Sequence, residues 1–406
     1  MDNLKKLALA QQDYVVGIRR ELHRNPGTRF NTDFTREFIL NEISTFLKSD
    51  NSNIKIGVPR ESKGGIIIDV DIPGCKDRFL FRADFDALSV REETGLEYAS
   101  VNEGISHACG HDAHTAMLLG FFKAISKGCF NPVHNLRLVF QDGEENPGIP
   151  PEKESGGEIL VREGVLDDIN SAYTLHILMN NDARNGYFMS RSGAMMANSG
   201  RIIFRIKSAG GHAGMPAAGK NSLRIAQAIM NRLDLFMSNQ KASSRLITME
   251  PVILNSGKSS NVMPADAELW YSFRTLLPRD EHIEMTKKVM DEAKEETSGA
   301  GAELEAIPIY GAPLLLNNPD IYEHVKEILN NNGQKTAEIP PMFGGEDFAY
   351  YLNNVPGVMF WLNAYREGSG AQHSPTFNPD EDVFWRGVHY WILLATAPSY
   401  NLIKEG

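Results

Sequence analysis

The stretch HACGHDAHTAML, residues 107–118, sets three histidines (His107, His111, His114), a cysteine (Cys109) and an aspartate (Asp112) within eight positions, beside an apolar run. Cys109 and His111 flank a glycine, so a thiolate and an imidazole can converge on one ion from a single tight turn, and both ligand types suit borderline divalent metals. Three further donors, Glu145, His176 and His373 in QHSPTF, fall at or near the ends of apolar runs elsewhere. Five donors exceed the four of a closed structural zinc site. Two ions sharing a bridging ligand, with positions left for water, use them better. The competing reading makes the segment a helix start, with His111 or Asp112 near the cap and the histidines satisfied by local hydrogen bonds. Spacing alone leaves both open.

The pair Glu144-Glu145 in FQDGEE adds a second kind of chemistry. On a strand, neighbours point to opposite faces, but a turn at the strand end can bring both carboxylates to one cleft. One then holds metal while the other takes a proton from water and returns it to a leaving amine. The alternative is a solvated acidic loop.

These residues need a scaffold. Apolar spacing predicts helices over 4–23 and 34–48, strands in GGIIIDVDI and RFLFRADFDAL, a helix from His114 to about Ser126, then strands in NLRLVFQDGEE and SAYTLHIL. Strands alternating with helices imply an α/β fold with a mostly parallel sheet covered by helices, which binds ligands outside the carboxyl ends of its strands. Asp84, Glu144, Glu145 and His176 lie at or near such ends. From about Met189 the texture becomes antiparallel: RIIFRIKSAGGHA, SSRLITMEPVILNSG and AELWYSFRTLL read as strands, with helices at 221–238 and 280–297. After about Ile307 the helix DIYEHVKEILNNNG, the strand VPGVMFWL and a helix at 381–397 return to the first pattern. The expected organisation is a first domain of residues 1–189 and 307–406, interrupted by an α+β domain at 190–306. That insert has an open sheet edge suited to pairing with a second copy.

Composition narrows the class. The 406 residues suffice for two domains, and 42% hydrophobic with 23% charged content is ordinary for a globular chain. No stretch reaches the ~18 uninterrupted apolar residues of a membrane helix. A net charge of -11 gives no footprint for nucleic acid or an anionic membrane. Three cysteines, Cys75, Cys109 and Cys129, suggest a reduced compartment and leave Cys109 free to ligate. The start MDNLKKLALAQQDY meets Gln11 and Asp13 too early for a signal peptide, so a cytoplasmic location is expected.

In order along the chain, RRELHRNPG, FRADFDAL, HACGHDAHTAMLLG, FQDGEE, LHI, GGHAGMP, NVMPADAELWYSFRT, FGGEDFAYY and HSPTF resemble peptidase family M20. The subgroup is that of hippurate hydrolase, indole-acetyl-amino-acid hydrolases and N-acyl-amino-acid deacylases. The resemblance runs from residue 14 to about 390. It implies a dinuclear centre held by Cys109, His111, Glu145, His176 and His373, with Cys109 bridging, and such a donor set accepts zinc, manganese, cobalt or nickel. It makes Glu144 the general base and Asp84 the carboxylate orienting a ligand, with His107 and Asp112 as neighbours. In the inserted lid, which also mediates homodimerisation, it makes His212 the oxyanion donor and Asn261 and Arg274 the holders of the substrate carboxylate. The implied substrate is a small N-acyl amino acid, with acetyl, benzoyl or similar acyl groups.

This chain departs from that pattern at several places. Asp142-Gly143 stands where relatives read Pro-Ala, Gly27 replaces a Glu, AAGKNS replaces a His-rich segment, and a proline-rich loop follows at 146–157. These changes spare the ligands and bear on specificity. Three rivals remain: a dinuclear dipeptidase on the same residues, a non-catalytic binding homologue, and a cysteine hydrolase using Cys109.

Overall fold

A computed structural model describes residues 2–47, 52–59, 65–145, 154–240 and 246–400. The chain divides into two compact units, the first made of Met1–Met195, Leu316–Pro340 and Asp347–Gly406, the second of Met196–Leu315 and Pro341–Glu346.

The first unit is built on an eight-stranded sheet, in the order Ile54–Gly57, Ile66–Val70, Asn135–Gln141, Arg78–Asp84, Ser171–Leu178, Gly357–Asn363, Phe188–Ser190, Thr336–Glu338. Its centre is parallel, with Asp84 opposite Gln141 and His176 opposite Trp361, so these residues come level at one end. The Ile54–Gly57 and Ile66–Val70 strands join antiparallel. Every residue of Ser171–Leu178 is buried, as expected for a strand covered on both faces.

Strand alternation sorts the chemistry. Phe79, Phe81 and Ala83 face the apolar core, which leaves Arg82 and Asp84 on the opposite face. The helix His111–Ser126 is buried almost all round, against the sheet and the helices Gln12–Arg24 and Phe384–Thr396. It starts at His111 rather than at His114, because Gly110, at φ +95°, takes the left-handed turn that brings the chain directly from Cys109 into the helix. The helix expected over 4–23 is two, Asp2–Leu9 and Gln12–Arg24.

The second unit holds a four-stranded antiparallel sheet, ordered Ile247–Ser256, Asp266–Thr275, Asn198–Lys207, Glu303–Tyr310. Helices Ser222–Asn239 and Arg279–Gly299 cover one face, packing Ile225, Ile229 and Val289 on Phe204, Leu269 and Tyr271. The main segment of this unit runs to Leu315 rather than to 306, since Glu303–Tyr310 stays paired to Asn198–Lys207 as far as Tyr310 opposite Gly200, and Pro341–Glu346 joins it from further along the chain. No helix among the described residues is long and apolar enough to cross a membrane.

Candidate metal centre

Four elements of the first unit deliver the donors. Cys109 closes the turn before the long helix, His111 opens that helix, Glu145 follows the strand Asn135–Gln141, and His176 lies in Ser171–Leu178. The fifth, His373, sits in a loop at φ +64°, a conformation rare for a side chain with a Cβ, and its backbone N–H donates to Ala108 O at 2.7 Å. Cys109 Sγ lies 3.5 Å from His176 Nε2 and 3.4 Å from His373 Nε2. Glu145 Oε1 lies 3.5 Å from His373 Nε2 and 4.0 Å from His111 Nε2. The donor atoms of Cys109, His111 and Glu145 fall within 4.8 Å of one another.

The hydrogen bonding of these groups fits a cation. Both nitrogens of His111 and Oε1 of Glu145 are buried without a hydrogen-bond partner, which an interior tolerates only where something else satisfies them. His176 donates Nδ1–H to Ile177 O at 2.7 Å, leaving the Nε2 lone pair facing Cys109. Burial, helped by the neighbouring His114, holds its pKa well below the ordinary value, so it is neutral, the form a metal binds. Burial pushes Glu145 up to about 7, with Asp86 and Asp84 adding to it against His111. Burial also pushes the Cys109 thiol up, although His111 opposes it, so a reactive thiolate requires a cation beside it.

His114 is not available as a donor. Its Nδ1–H goes to Asp84 Oδ1 and its Nε2 accepts from Ile177 N–H at 2.8 Å, which saturates both nitrogens. Asp84 is shared between His114 and Arg82, whose Nη1 donates to Oδ2 at 2.6 Å. Burial works against its charge, but Arg82, His111 and His114 overrule it and hold Asp84 well below the usual carboxylate range. Asp86, which sequence reasoning passed over, accepts Glu144 N–H at 3.1 Å and Glu145 N–H at 2.9 Å and lies 3.6 Å from His111 Nδ1. It thus fixes the turn carrying both glutamates and faces the imidazole more closely than Asp84 does at 3.8 Å. The only sequence signal for it was a second carboxylate two residues after Asp84.

Around the helix start, Asp112 accepts Arg19 Nε at 2.8 Å and His23 Nδ1 at 2.7 Å, and His23 Nε2 reaches Glu92 at 3.2 Å. His107 is buried with neither nitrogen hydrogen-bonded, and burial lowers it to about 4. Asp142 accepts Phe30 N–H at 3.2 Å and the Thr32 hydroxyl, and Gly143, at φ +76°, has the Phe30 ring where a Cβ would be. The loop expected to reshape the cleft lies, over residues 146–153, outside the described residues.

The second unit carries the remaining candidates. His212 is exposed, paired opposite Val262, and its Nδ1 accepts Gly214 N–H at 3.0 Å, which puts the proton of the neutral ring on Nε2 as a donor. The Asn261 carbonyl accepts Ala213 N–H at 3.0 Å, tying it to the same ribbon. Arg274 donates Nη1 to Phe343 O at 3.3 Å. Burial and then the charge of Arg201 lower its pKa.

Residues 80–397 match the family described as Peptidase family M20/M25/M40. The chain belongs to peptidase family M20. This M20 chain is 29% identical to "Thermostable carboxypeptidase 2" of Saccharolobus solfataricus over 97% of its own length and 98% of the relative's. It is 28% identical to an "N-acetyldiaminopimelate deacetylase" of Bacillus subtilis over 92% of its own length and 96% of the relative's. Among solved structures, a Bacillus subtilis protein described as a dinuclear metal binding peptidase from the M20 family superposes with TM-score 0.78 at 25% identity, over 95% of this chain and 98% of that one. The M20 chain is therefore a hydrolase of mixed α/β architecture whose candidate ligands cluster at one end of its large sheet.

Proposed function

We propose that this M20 hydrolase cleaves the amide bond of small N-acyl amino acids, releasing a carboxylic acid and a free amino acid. Cys109, His111, Glu145, His176 and His373 would hold two divalent ions. The observation that carries this reading is the chain of close approaches from His176 to Cys109, Cys109 to His373, His373 to Glu145 and Glu145 to His111, with both nitrogens of His111 and Oε1 of Glu145 left without hydrogen bonds. Ions bound there would polarise the scissile carbonyl and make water acidic enough to react near neutral pH.

Glu144 is the general base. Asp86 fixes the backbone N–H groups of both glutamates, and Glu144, the one outside the ligand set, would take a proton from the attacking water and pass it to the leaving nitrogen. Asp84 and Asp86 orient His111. His212 offers Nε2–H to the developing oxyanion, a contribution of about 2.7–4 kcal/mol for one placed donor, while Asn261 and Arg274 take the substrate's carboxylate. Deacetylase relatives favour acetylated amino acids as the first substrates to test; the carboxypeptidase relative favours including peptides. The protein acts in the cytoplasm, with zinc, manganese, cobalt or nickel. It works as a homodimer through the edge strand Ile247–Ser256, which exposes Val252, Ile253 and Leu254.

The test is amino-acid release from N-acetyl, N-benzoyl and N-succinyl amino acids and dipeptides. Chelated protein is assayed with and without manganese or zinc, beside Glu144→Ala. Metal-dependent release abolished by the substitution is the expected result. Release that survives chelation and stops on thiol alkylation would instead make Cys109 the nucleophile, and two bound metals without release across the panel would overturn the substrate class. A requirement for a free α-amine would mark a dipeptidase, whereas absence of both metal and turnover would mark a binding homologue.

A further inference from the structure

The motif FGGEDFAYY supplies none of the candidate ligands above, yet its Asp347 is fully buried and surrounded by donors. Arg82 Nη2 reaches Asp347 Oδ1 at 2.6 Å, Gln141 Nε2 reaches both oxygens at 2.9 and 2.8 Å, and Gly157 N–H reaches Oδ2 at 2.8 Å. A carboxylate with this many charged and polar donors in a dry interior holds them in one geometry, since each donor would be left unsatisfied if it moved away.

Two lines of contact lead from it toward the candidate ligands. On one side Arg82 passes from Asp347 to Asp84, Asp84 to His114, His114 to the Ile177 N–H, and the Ile177 carbonyl to His176 Nδ1. On the other side Gln141 ends the strand that leads through Asp142-Gly143 to Glu144 and Glu145, and Gly157 stands where the chain returns from that turn. One carboxylate thereby fixes both the strand behind the imidazoles and the base of the turn bearing the glutamates. Arg82 is shared between two anions, so its position depends on both. Removing the Asp347 charge leaves Asp84 as the one of these two anions still paired with Arg82, whose Nε also donates to Gln141 Oε1 at 3.1 Å, and draws Asp84 away from His114.

We propose that Asp347 is a positioning residue for the metal centre, acting through Arg82 and Asp84 on His176. The inference rests on the metal-centre reading above. The test is Co(II) and Mn(II) affinity of the chelated full-length protein, measured by competition with a chromophoric chelator, together with the thiolate-to-Co(II) absorption band. It compares wild type, D347N and Y351F. Asparagine keeps the shape of Asp347 but turns an amide NH2 toward Arg82 or Gln141. Tyr351, buried in the same cluster, donates to Gln141 Oε1 at 2.9 Å, so Y351F removes a hydrogen bond without breaking the Asp347–Arg82–Asp84 line.

The expected result is a metal Kd raised about 10–100-fold in D347N with a shifted Co(II) band, the usual consequence of losing an outer-shell partner, and a Kd within about twofold of wild type in Y351F. Equal Kd and identical spectra for D347N and wild type would overturn the proposal. So would equal weakening in both variants in proportion to their loss of Tm, because that is what a merely structural role produces. Should D347N fail to fold, R82K cuts the same line at its next link and is held to the same two outcomes. Failure of wild type itself to bind metal would refute the metal-centre reading instead.

Discussion

Asp86→Asn tests the smallest piece of the site that geometry alone brought to light. The carboxylate of Asp86 accepts the N–H groups of both Glu144 and Glu145 and lies 3.6 Å from His111 Nδ1. Asparagine is nearly isosteric but keeps only one acceptor oxygen, so one backbone N–H must face an NH2. A buried donor left in that state costs about 1–3 kcal/mol. At about 2–4 °C per kcal/mol for a chain of this class, Tm in chelator should fall by about 2–12 °C. A second effect is separable. His111 loses a facing anion, and metal affinity should drop about 10–100-fold, as when other outer-shell carboxylates are neutralised. Thermal unfolding in chelator reads the first effect alone. Repeating it across a manganese series gives Kd from the ligand-dependent rise in Tm. A variant with unchanged Tm in chelator and unchanged Kd would refute the assignment of Asp86 as the residue that holds the glutamate turn and orients His111.

Gly143→Ala should lower the urea midpoint and kcat together. Its Cβ would lie 2.6 Å from Phe30 Cε1, and φ +76° adds strain of about 1–2 kcal/mol; pairing it with Phe30→Ala should recover the steric part only, and a midpoint equal to wild type in the single variant would count against the close packing. Burial opposes the charge of Glu92, but hydrogen bonds from His23, Ser100 N–H and Thr94 hold its pKa at about 2 against an ordinary 4.5. Because that pKa is depressed, its stabilising contribution is complete above about 4.5 and is lost as pH falls toward 2, so Glu92→Gln in chelator should flatten Tm against pH in that window; a parallel curve for the two proteins would remove Glu92 from the account. Ile253→Lys should shift sedimentation toward monomer by placing a charge on the exposed edge strand; an unchanged dimer would move the interface elsewhere.

Much of this architecture was legible because parallel sheets are simple to read. Apolar runs such as RFLF and LVF end in polar residues, and in an α/β fold those ends share one rim, so Asp84, Glu145 and His176 could be grouped before any coordinates. What escaped depends on partners far away in sequence. Asp86 matters through backbone groups of Glu144 and Glu145, and Asp347 through Arg82, neither of which leaves any periodic trace. The role of His114 is likewise set by distant partners, since its two nitrogens are taken by Asp84 and the Ile177 N–H. Strands Phe188–Ser190 and Thr336–Glu338 are three residues each, too short for alternation to register, and their pairing is dictated by the sheet they join. The break at Ala10-Gln11 was hidden because the apolar spacing runs on across it.

The position of His373 has a consequence for the newly made protein. Its Nε2 completes the cluster around Cys109, yet it is encoded far downstream of the other four side chains. A chain emerging from the ribosome has already released Cys109, His111, Glu145 and His176 when the sheet still lacks Gly357–Asn363 and the loop beyond it. During that interval the thiol has neither its final burial nor its last imidazole neighbour, and is at its most open to oxidants and to thiol-seeking ions. Soft metals present while the chain is still folding should therefore harm maturation of this protein more than its finished form.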